Sequence, residues 1–134
     1  MLRALGAYVV VLLVMLALDT LWLGVVAKSL YRNAIGHLMA PSPRLGVALV
    51  FYSVFALGLT LYGTGLRAAG TGWHAAIGAG AMFGFFCYAT YDISNLATLR
   101  DWPIGIALVD VAWGTGVSAI SAAAGRMALD RMSA

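Results

Sequence analysis

The sequence predicts an all-α integral membrane protein, a bundle of four transmembrane helices with a short interfacial helix between spans 1 and 2. Hydrophobic residues make up 63% of the 134 residues and charged residues only 10%. A soluble domain has about a quarter charged residues, so this composition indicates a surface that contacts lipid. Four long apolar stretches separated by short polar segments account for the composition. We expect them to form a single integral membrane domain over residues 1–134.

Each apolar stretch exceeds the roughly 20 residues that a helix needs to cross the hydrocarbon core. Helices are expected because lipid offers the backbone no hydrogen-bond partners and the stretches lack the alternation typical of strands. Asp19 and Trp22 stand where a signal peptide would have small residues, so we expect the first helix to be retained. The predicted spans are residues 5–27, 45–66, 73–99 and 104–124.

The polar segments predict how the spans are connected. The apolar residues between positions 30 and 39 fall on one helical face, whereas Arg32 and His37 fall elsewhere, which is typical of an amphipathic helix at the interface. Residues 67–72 are predicted to form a tight turn that contains glycine.

Small residues at helical spacing favour close packing within the bundle. They are Gly80, Gly84, Gly114 and Ser118.

Three aspartates are predicted to lie at one depth near one membrane face. Because short-linked spans alternate in direction, Asp19, Asp92 and Asp110 lie about 12, 10 and 9 Å from helix ends on the same side, at 1.5 Å per residue. An Asp at the membrane centre costs roughly +2.5 to +3.5 kcal/mol on insertion scales. Intramembrane acids usually face a bundle interior or a water cavity and mark function. The structural alternative is that the acids accept hydrogen bonds between helices, or pair with Lys28, Arg32 and Arg100 to fix the bundle.

Each acid is followed three residues later, on the same helical face, by a large side chain that can form hydrogen bonds. A pocket of carboxylates, indoles and an amide would suit a ligand with a polar or cationic head, with Arg32 and His37 controlling access from the interface. For the tryptophans, placement in an interfacial belt is the alternative. The predicted ligand-binding residues are Asp19, Trp22, Arg32, His37, Tyr91, Asp92, Asn95, Asp110 and Trp113.

The composition argues against several other classes of function. Lys and Arg residues are scattered singly between apolar blocks, as in loops that face lipid headgroups, so we do not expect nucleic acid as a partner. The two histidines, His37 and His74, are predicted on opposite sides, and di-iron sites need repeated Glu-x-x-His motifs. We predict neither a metal site nor a cofactor. No catalytic motif appears, and whether the protein is an enzyme stays open.

Five blocks of sequence extend over nearly the whole chain: LDTLWLG at 18–24, YRNAIGH at 31–37, YATYDISNLATL at 88–99, WP at 102–103 and DVAWG at 110–114. Together they resemble a bacterial family of predicted membrane proteins, domain of unknown function 2177. The resemblance implies a four-helix protein of the bacterial inner membrane. Relatives often lie near genes for lipid or fatty-acid modification, which implies an alternative function as a membrane subunit or small enzyme of that process, with a soluble lipid-modifying partner.

Three classes of function therefore compete: a ligand-binding or transport protein, a lipid-metabolism protein, and a structural scaffold without ligand. Membrane lipids are expected partners in each. The positive-inside rule predicts no orientation because the Lys and Arg residues divide equally between the two sides. An antiparallel homodimer follows as a hypothesis. One side holds Arg3, Arg67, Arg126 and Arg131, and the other holds Lys28, Arg32, Arg44 and Arg100.

Overall fold

The computed structural model describes residues 1–67 and 72–133, and within these ranges every regular element is a helix. The predicted all-α class is therefore confirmed. Residues 68–71 of the predicted turn lie outside the described residues. In chain order the elements are α1 (Leu2–Leu21), a π-helical turn (Trp22–Val26), α2 (Lys28–Ile35), a 3-10 turn (Gly36–Leu38), α3 (Leu45–Tyr62), α4 (Trp73–Thr98) and α5 (Ile104–Arg131).

Three of the described helices are long and apolar enough to cross a membrane, which makes the chain a multi-pass membrane protein. They are α1 with its π-helical turn, α3 and α5. The 26 residues of α4 would span about 39 Å, but its glycines and its polar residues between Tyr88 and Asp92 lower its hydropathy. The predicted count of four spans stays a prediction, and the packing of α4 supports it.

Helix α4 runs antiparallel to α5 and packs against it more extensively than any other pair of described helices. A Cβ atom built on Gly84 would lie 2.3 Å from the Gly114 carbonyl oxygen and 2.4 Å from Ser118 Oγ. One at Gly80 would lie 2.5 Å from Ala122 Cβ. The two backbones approach closely because these positions have no side chain, so the predicted packing of small residues within the bundle is confirmed. A helix paired in this way with a membrane span is expected to cross the membrane beside it.

Two helices end at residues that differ from the approximate limits of the predicted apolar spans. Helix α3 stops at Tyr62 instead of residue 66, and the chain then turns through Gly65, whose φ of 68° suits a residue without Cβ. Helix α5 continues to Arg131, beyond the predicted end at residue 124. Its extra turns include an ion pair between Arg126 and Asp130, four residues apart and 2.8 Å between charged atoms.

The predicted interfacial helix is present as α2, which packs across one end of the bundle. Its Tyr31 is 8% exposed and packs with Ala27 and Ile106 from the start of α5. The indole rings of Trp22 and Trp102 flank this cluster. The segment between α1 and α3 therefore forms a cover on the side where the three aspartates were predicted.

Candidate ligand-binding site

A cavity of about 460 Å³ lies beneath α2, between α1, α3, α4 and α5. Its lining includes two of the three acids that were predicted to lie within the membrane, Asp19 and Asp110. Most of the remaining wall is aromatic or aliphatic. The lining residues are Asp19, Leu23, Tyr31, Ile35, Phe51, Tyr52, Phe55, Cys87, Tyr88, Tyr91, Trp102, Ile106, Asp110 and Trp113.

Asp19 is buried on α1 and accepts a hydrogen bond from another helix. The Trp113 indole N–H of α5 donates to Asp19 Oδ1 over 2.7 Å. The Tyr52 hydroxyl of α3 lies beside the same carboxyl group. Helices α1, α3 and α5 therefore meet around Asp19, on one wall of the cavity.

Asp110 of α5 accepts a hydrogen bond from α2. The Tyr31 hydroxyl donates to Asp110 Oδ1 over 2.5 Å. Burial, followed by the hydrogen bond to Asp110, raises the pKa of Tyr31 above its usual value. The phenol therefore keeps its proton at physiological pH and remains a donor. This contact fastens the interfacial helix to an intramembrane carboxyl group at the edge of the cavity.

Asp92 of α4 is completely buried and lies behind the cavity wall instead of lining it. The Trp102 indole N–H donates to Asp92 Oδ1 over 3.2 Å. Its second oxygen, Oδ2, has no hydrogen-bond partner. The carboxyl group of Asp110 is a direct neighbour. Asp92 and Asp110 thus form a carboxyl pair across the close contact between α4 and α5.

Two tryptophans from different helices form a stacked pair beside Asp19. The rings of Trp22 and Trp113 are 4.4 Å apart between centroids and nearly parallel, with an angle of 5°. The Trp22 indole nitrogen lies toward the Tyr31 hydroxyl but is buried without a hydrogen-bond partner. The π-helical turn begins at Trp22, and such turns are frequent at functional sites.

None of the three acids forms an ion pair with a cation in the described part of the chain, where the one salt bridge joins Arg126 to Asp130. The alternative in which Lys28, Arg32 and Arg100 neutralise the acids therefore has no support among these residues. Within the same residues, no three His, Cys, Asp or Glu side chains lie close enough to hold a metal ion.

The structure places the nine predicted site residues in three groups. Four line the cavity, namely Asp19, Tyr91, Asp110 and Trp113. Three lie behind this lining: Asp92 beside Asp110, Trp22 stacked on Trp113, and Asn95 as a hydrogen-bonding neighbour of Tyr91. The remaining two, Arg32 and His37, are exposed and do not line the cavity.

Three aromatic residues that bind the acids were not among the predicted site residues. Tyr31 directly precedes Arg32, and its place on the apolar face of α2 was the one available signal. Trp102 entered the sequence analysis only through the WP block of the family resemblance. Tyr52 lies in an apolar span without any acid, so no sequence pattern distinguished it. The contacts of all three depend on how the helices are rotated about their axes.

Comparison with known proteins agrees with the resemblance of the sequence blocks. A family model described as "Predicted membrane protein (DUF2177)" matches residues 4–127, a range that begins in α1 and ends in α5. No curated protein and no solved structure matches the chain. The matched range includes the interfacial helix and all the residues that line the cavity. The chain belongs to the DUF2177 family of predicted membrane proteins.

Proposed function

We propose that this membrane protein binds an amphiphilic ligand with a cationic or polar head in the cavity beneath α2. The observation that carries the proposal is that Asp19 and Asp110 line the cavity, while their hydrogen-bond partners are neutral indole and phenol groups. A charge on either carboxyl group would therefore lack a neighbouring cation from the described chain. A ligand cation would supply that charge in a place where low dielectric strengthens the attraction.

The cavity wall has the chemistry and size for such a head. Its aromatic residues include Phe55, Tyr52 and Tyr88, and aromatic rings attract quaternary ammonium groups through cation–π interactions. A volume of about 460 Å³ lies within the range of small-molecule pockets. It would hold a compact head together with the first part of an alkyl chain.

The remainder of the alkyl chain would leave the bundle sideways. Phe51 of α3 and Tyr91 of α4 line the cavity and are also 45% and 52% exposed. The cavity therefore reaches the outer surface of the bundle near these two residues, where the protein meets lipid. An apolar tail would pass between α3 and α4 into the bilayer, while the head stays beside the carboxyl groups.

Native mass spectrometry of the chain, purified in an uncharged detergent and titrated with decyltrimethylammonium, tests the proposal. The wild-type chain is expected to bind this cation in preference to decanol, which has the same alkyl chain without the charge. Replacing both lining acids, Asp19→Asn with Asp110→Asn, is expected to weaken binding by about tenfold or more, equivalent to about 1.4 kcal/mol. Asp101→Asn, an exposed acid in the adjacent loop, is the matched control and should leave affinity unchanged.

Equal binding of decanol and the cation, or unchanged affinity in a double variant that retains the wild-type unfolding temperature, would contradict the proposal. A co-purifying species in the same spectra tests the source of the ligand, since its mass identifies the natural amphiphile. A lipid adduct that disappears in the double variant would support a lipid headgroup.

The sideways opening also favours a second candidate, in which the protein presents a lipid chain to a soluble lipid-modifying partner or acts on it as a small enzyme. We further propose the bacterial inner membrane as its location and a homo-oligomer as its assembly. Photo-crosslinking in bacterial inner-membrane vesicles, from a reactive amino acid at Phe51, tests these points together. Labelled lipid would support the lipid function, and a crosslinked second copy would support the oligomer.

A further inference from the structure

Asp92 and Asp110 are neighbouring carboxyl groups, and one oxygen of Asp92 has no hydrogen-bond donor among the described residues. Asp92 is completely buried, and its Oδ2 has no donor. The group beside it is another carboxyl, that of Asp110. Two carboxylates can only accept hydrogen bonds, so direct contact between two ionised groups would leave both without a donor at their interface. Like charges in a buried contact also repel strongly.

The groups around the pair provide no compensating positive charge. From α2 the pair faces the Tyr31 phenol, from α1 the Asp19 carboxyl, and from α4 the phenols of Tyr88 and Tyr91. The loop before α5 contributes the Trp102 indole. Tyr52 of α3 faces Asp19 instead of the pair. Each of these neighbours is an acid or an uncharged ring. Because none of the described neighbours carries a positive charge, a proton has to supply it.

We propose that Asp92 and Asp110 share one proton, and that the cationic head of a ligand in the cavity replaces this proton. A proton between the two groups gives Asp92 Oδ2 its missing donor and removes the repulsion. Asp110 belongs to both sites, because it pairs with Asp92 on one side and lines the cavity on the other. When a cation reaches Asp110, the O–H bond breaks, the proton passes to water, and the ligand charge takes its place.

The close packing of α4 and α5 explains why exchange is expected instead of separation of the pair. Gly84 lies against Gly114 and Ser118 without room for a Cβ atom, so the two helices hold the carboxyl groups at a set distance. When the proton is lost, the two carboxylates repel each other but cannot move apart. A cation in the cavity, beside Asp110, then relieves this repulsion. Because proton and cation compete for the same charge, apparent affinity for the cation rises as the pH rises.

The proton itself is tested on the wild-type chain in lipid nanodiscs, without ligand, by infrared spectroscopy during a pH titration. We expect the carbonyl stretch of a protonated carboxylic acid, shifted in a chain made with ¹³C-labelled aspartate and lost as the pH is raised. Asp101→Asn should retain the band, and Asp92→Asn should lose it. Absence of the band from the folded wild-type chain at every pH would overturn the shared proton.

The exchange, which rests on the proposed function, is tested by adding decyltrimethylammonium to the wild-type chain in weakly buffered solution with a pH indicator. One proton is expected to appear for each cation bound, and the infrared band should disappear together with it. Asp92→Asn should release no proton per bound cation. Binding without proton release in the wild-type chain would overturn the exchange but leave the proposed function standing. Failure of the wild-type chain to bind the cation would overturn both the exchange and the proposed function. The shared proton would still be decided by the infrared band measured without ligand.

Discussion

Around the cavity, individual aromatic side chains donate hydrogen bonds to carboxyl groups inside the helix bundle. The Trp113 indole has two roles, because its ring stacks on Trp22 while its N–H donates to Asp19. The Tyr31 hydroxyl and the Trp102 indole N–H likewise donate to Asp110 and Asp92. Each acid thus has a donor from a different element, so the cost of burying it is offset by contacts that also hold the elements together.

Trp113→Phe is predicted to lower the stability of the bundle. Phenylalanine retains a ring beside Trp22 but removes the only N–H that the side chain offers Asp19. Interhelical hydrogen bonds in membranes contribute about 0.6 kcal/mol on average and up to about 1.7 kcal/mol, and we expect a loss near the upper value. The measurement is the free energy of unfolding during titration with a denaturing detergent. Trp73→Phe, at a tryptophan that is 43% exposed and donates to no acid among the described residues, is the control, and an equal loss in both variants would contradict the assigned role.

Among the helices, the contact between α4 and α5 decides the position of two of the three acids. It depends on glycine at positions where any Cβ would meet the opposite backbone. The interfacial helix α2 adds the cover through Tyr31. Helix α3 contributes aromatic wall and packs mainly against α1, which leaves the side near Phe51 and Tyr91 less closed. The bundle is therefore closely packed between α4 and α5 and more open near Phe51 and Tyr91.

Gly84→Ala is predicted to destabilise the pair of helices, whereas Gly78→Ala on the same helix is not. The new Cβ at residue 84 would lie 2.3 Å from a backbone oxygen, but at residue 78 it would meet nothing within 4 Å. We expect a loss of about 1 to 3 kcal/mol for Gly84→Ala, as for other overpacked sites. Thermal unfolding in detergent measures the difference between the variants. Equal melting temperatures would show that α4 and α5 do not pack in this register.

At the scale of the whole molecule, the number of helices that cross the membrane decides whether the two ends of the described chain share a membrane face. Three described helices meet the criteria of length and hydropathy, and α4 lies along one of them. If α4 crosses as well, Arg3 and Arg131 lie on the same side of the membrane. If it does not, they lie on opposite sides.

We predict that Arg3→Cys and Arg131→Cys are labelled by an impermeant maleimide from the same side, and that Ser42→Cys and Asp101→Cys are labelled from the other. The measurement uses intact cells and inverted vesicles, with Cys87→Ser as the common background because Cys87 is the chain's single cysteine. Labelling of Arg3→Cys and Arg131→Cys from opposite sides would refute the fourth span. Labelling of each position from both sides would indicate two orientations of the chain, as an antiparallel dimer requires.

The sequence by itself determined the class of protein and the approximate limits of its helices, and it predicted a common depth for the three acids. Mean hydropathy is calculated over neighbouring residues, and the rise per residue of a helix converts a residue number into a depth. Both quantities are therefore independent of contacts between distant residues. Helices α3 and α5 end at Tyr62 and Arg131, away from the approximate span limits at residues 66 and 124. Hydropathy alone contains neither the turn at Gly65 nor the ion pair of Arg126 and Asp130. The interfacial helix was also predicted, because its amphipathic pattern is local.

Only the tertiary structure decided which side chains face each other. Helical rise says how deep Asp92 lies, but the rotation of each helix about its axis decides that it meets Asp110 behind the wall while Asp19 lines the cavity. That rotation is set by the close approach of α4 and α5 at their glycines and by aromatic donors from α2, α3 and the loop before α5. Because these partners are up to 94 residues apart in the chain, no local pattern contains them, and packing alone selects them.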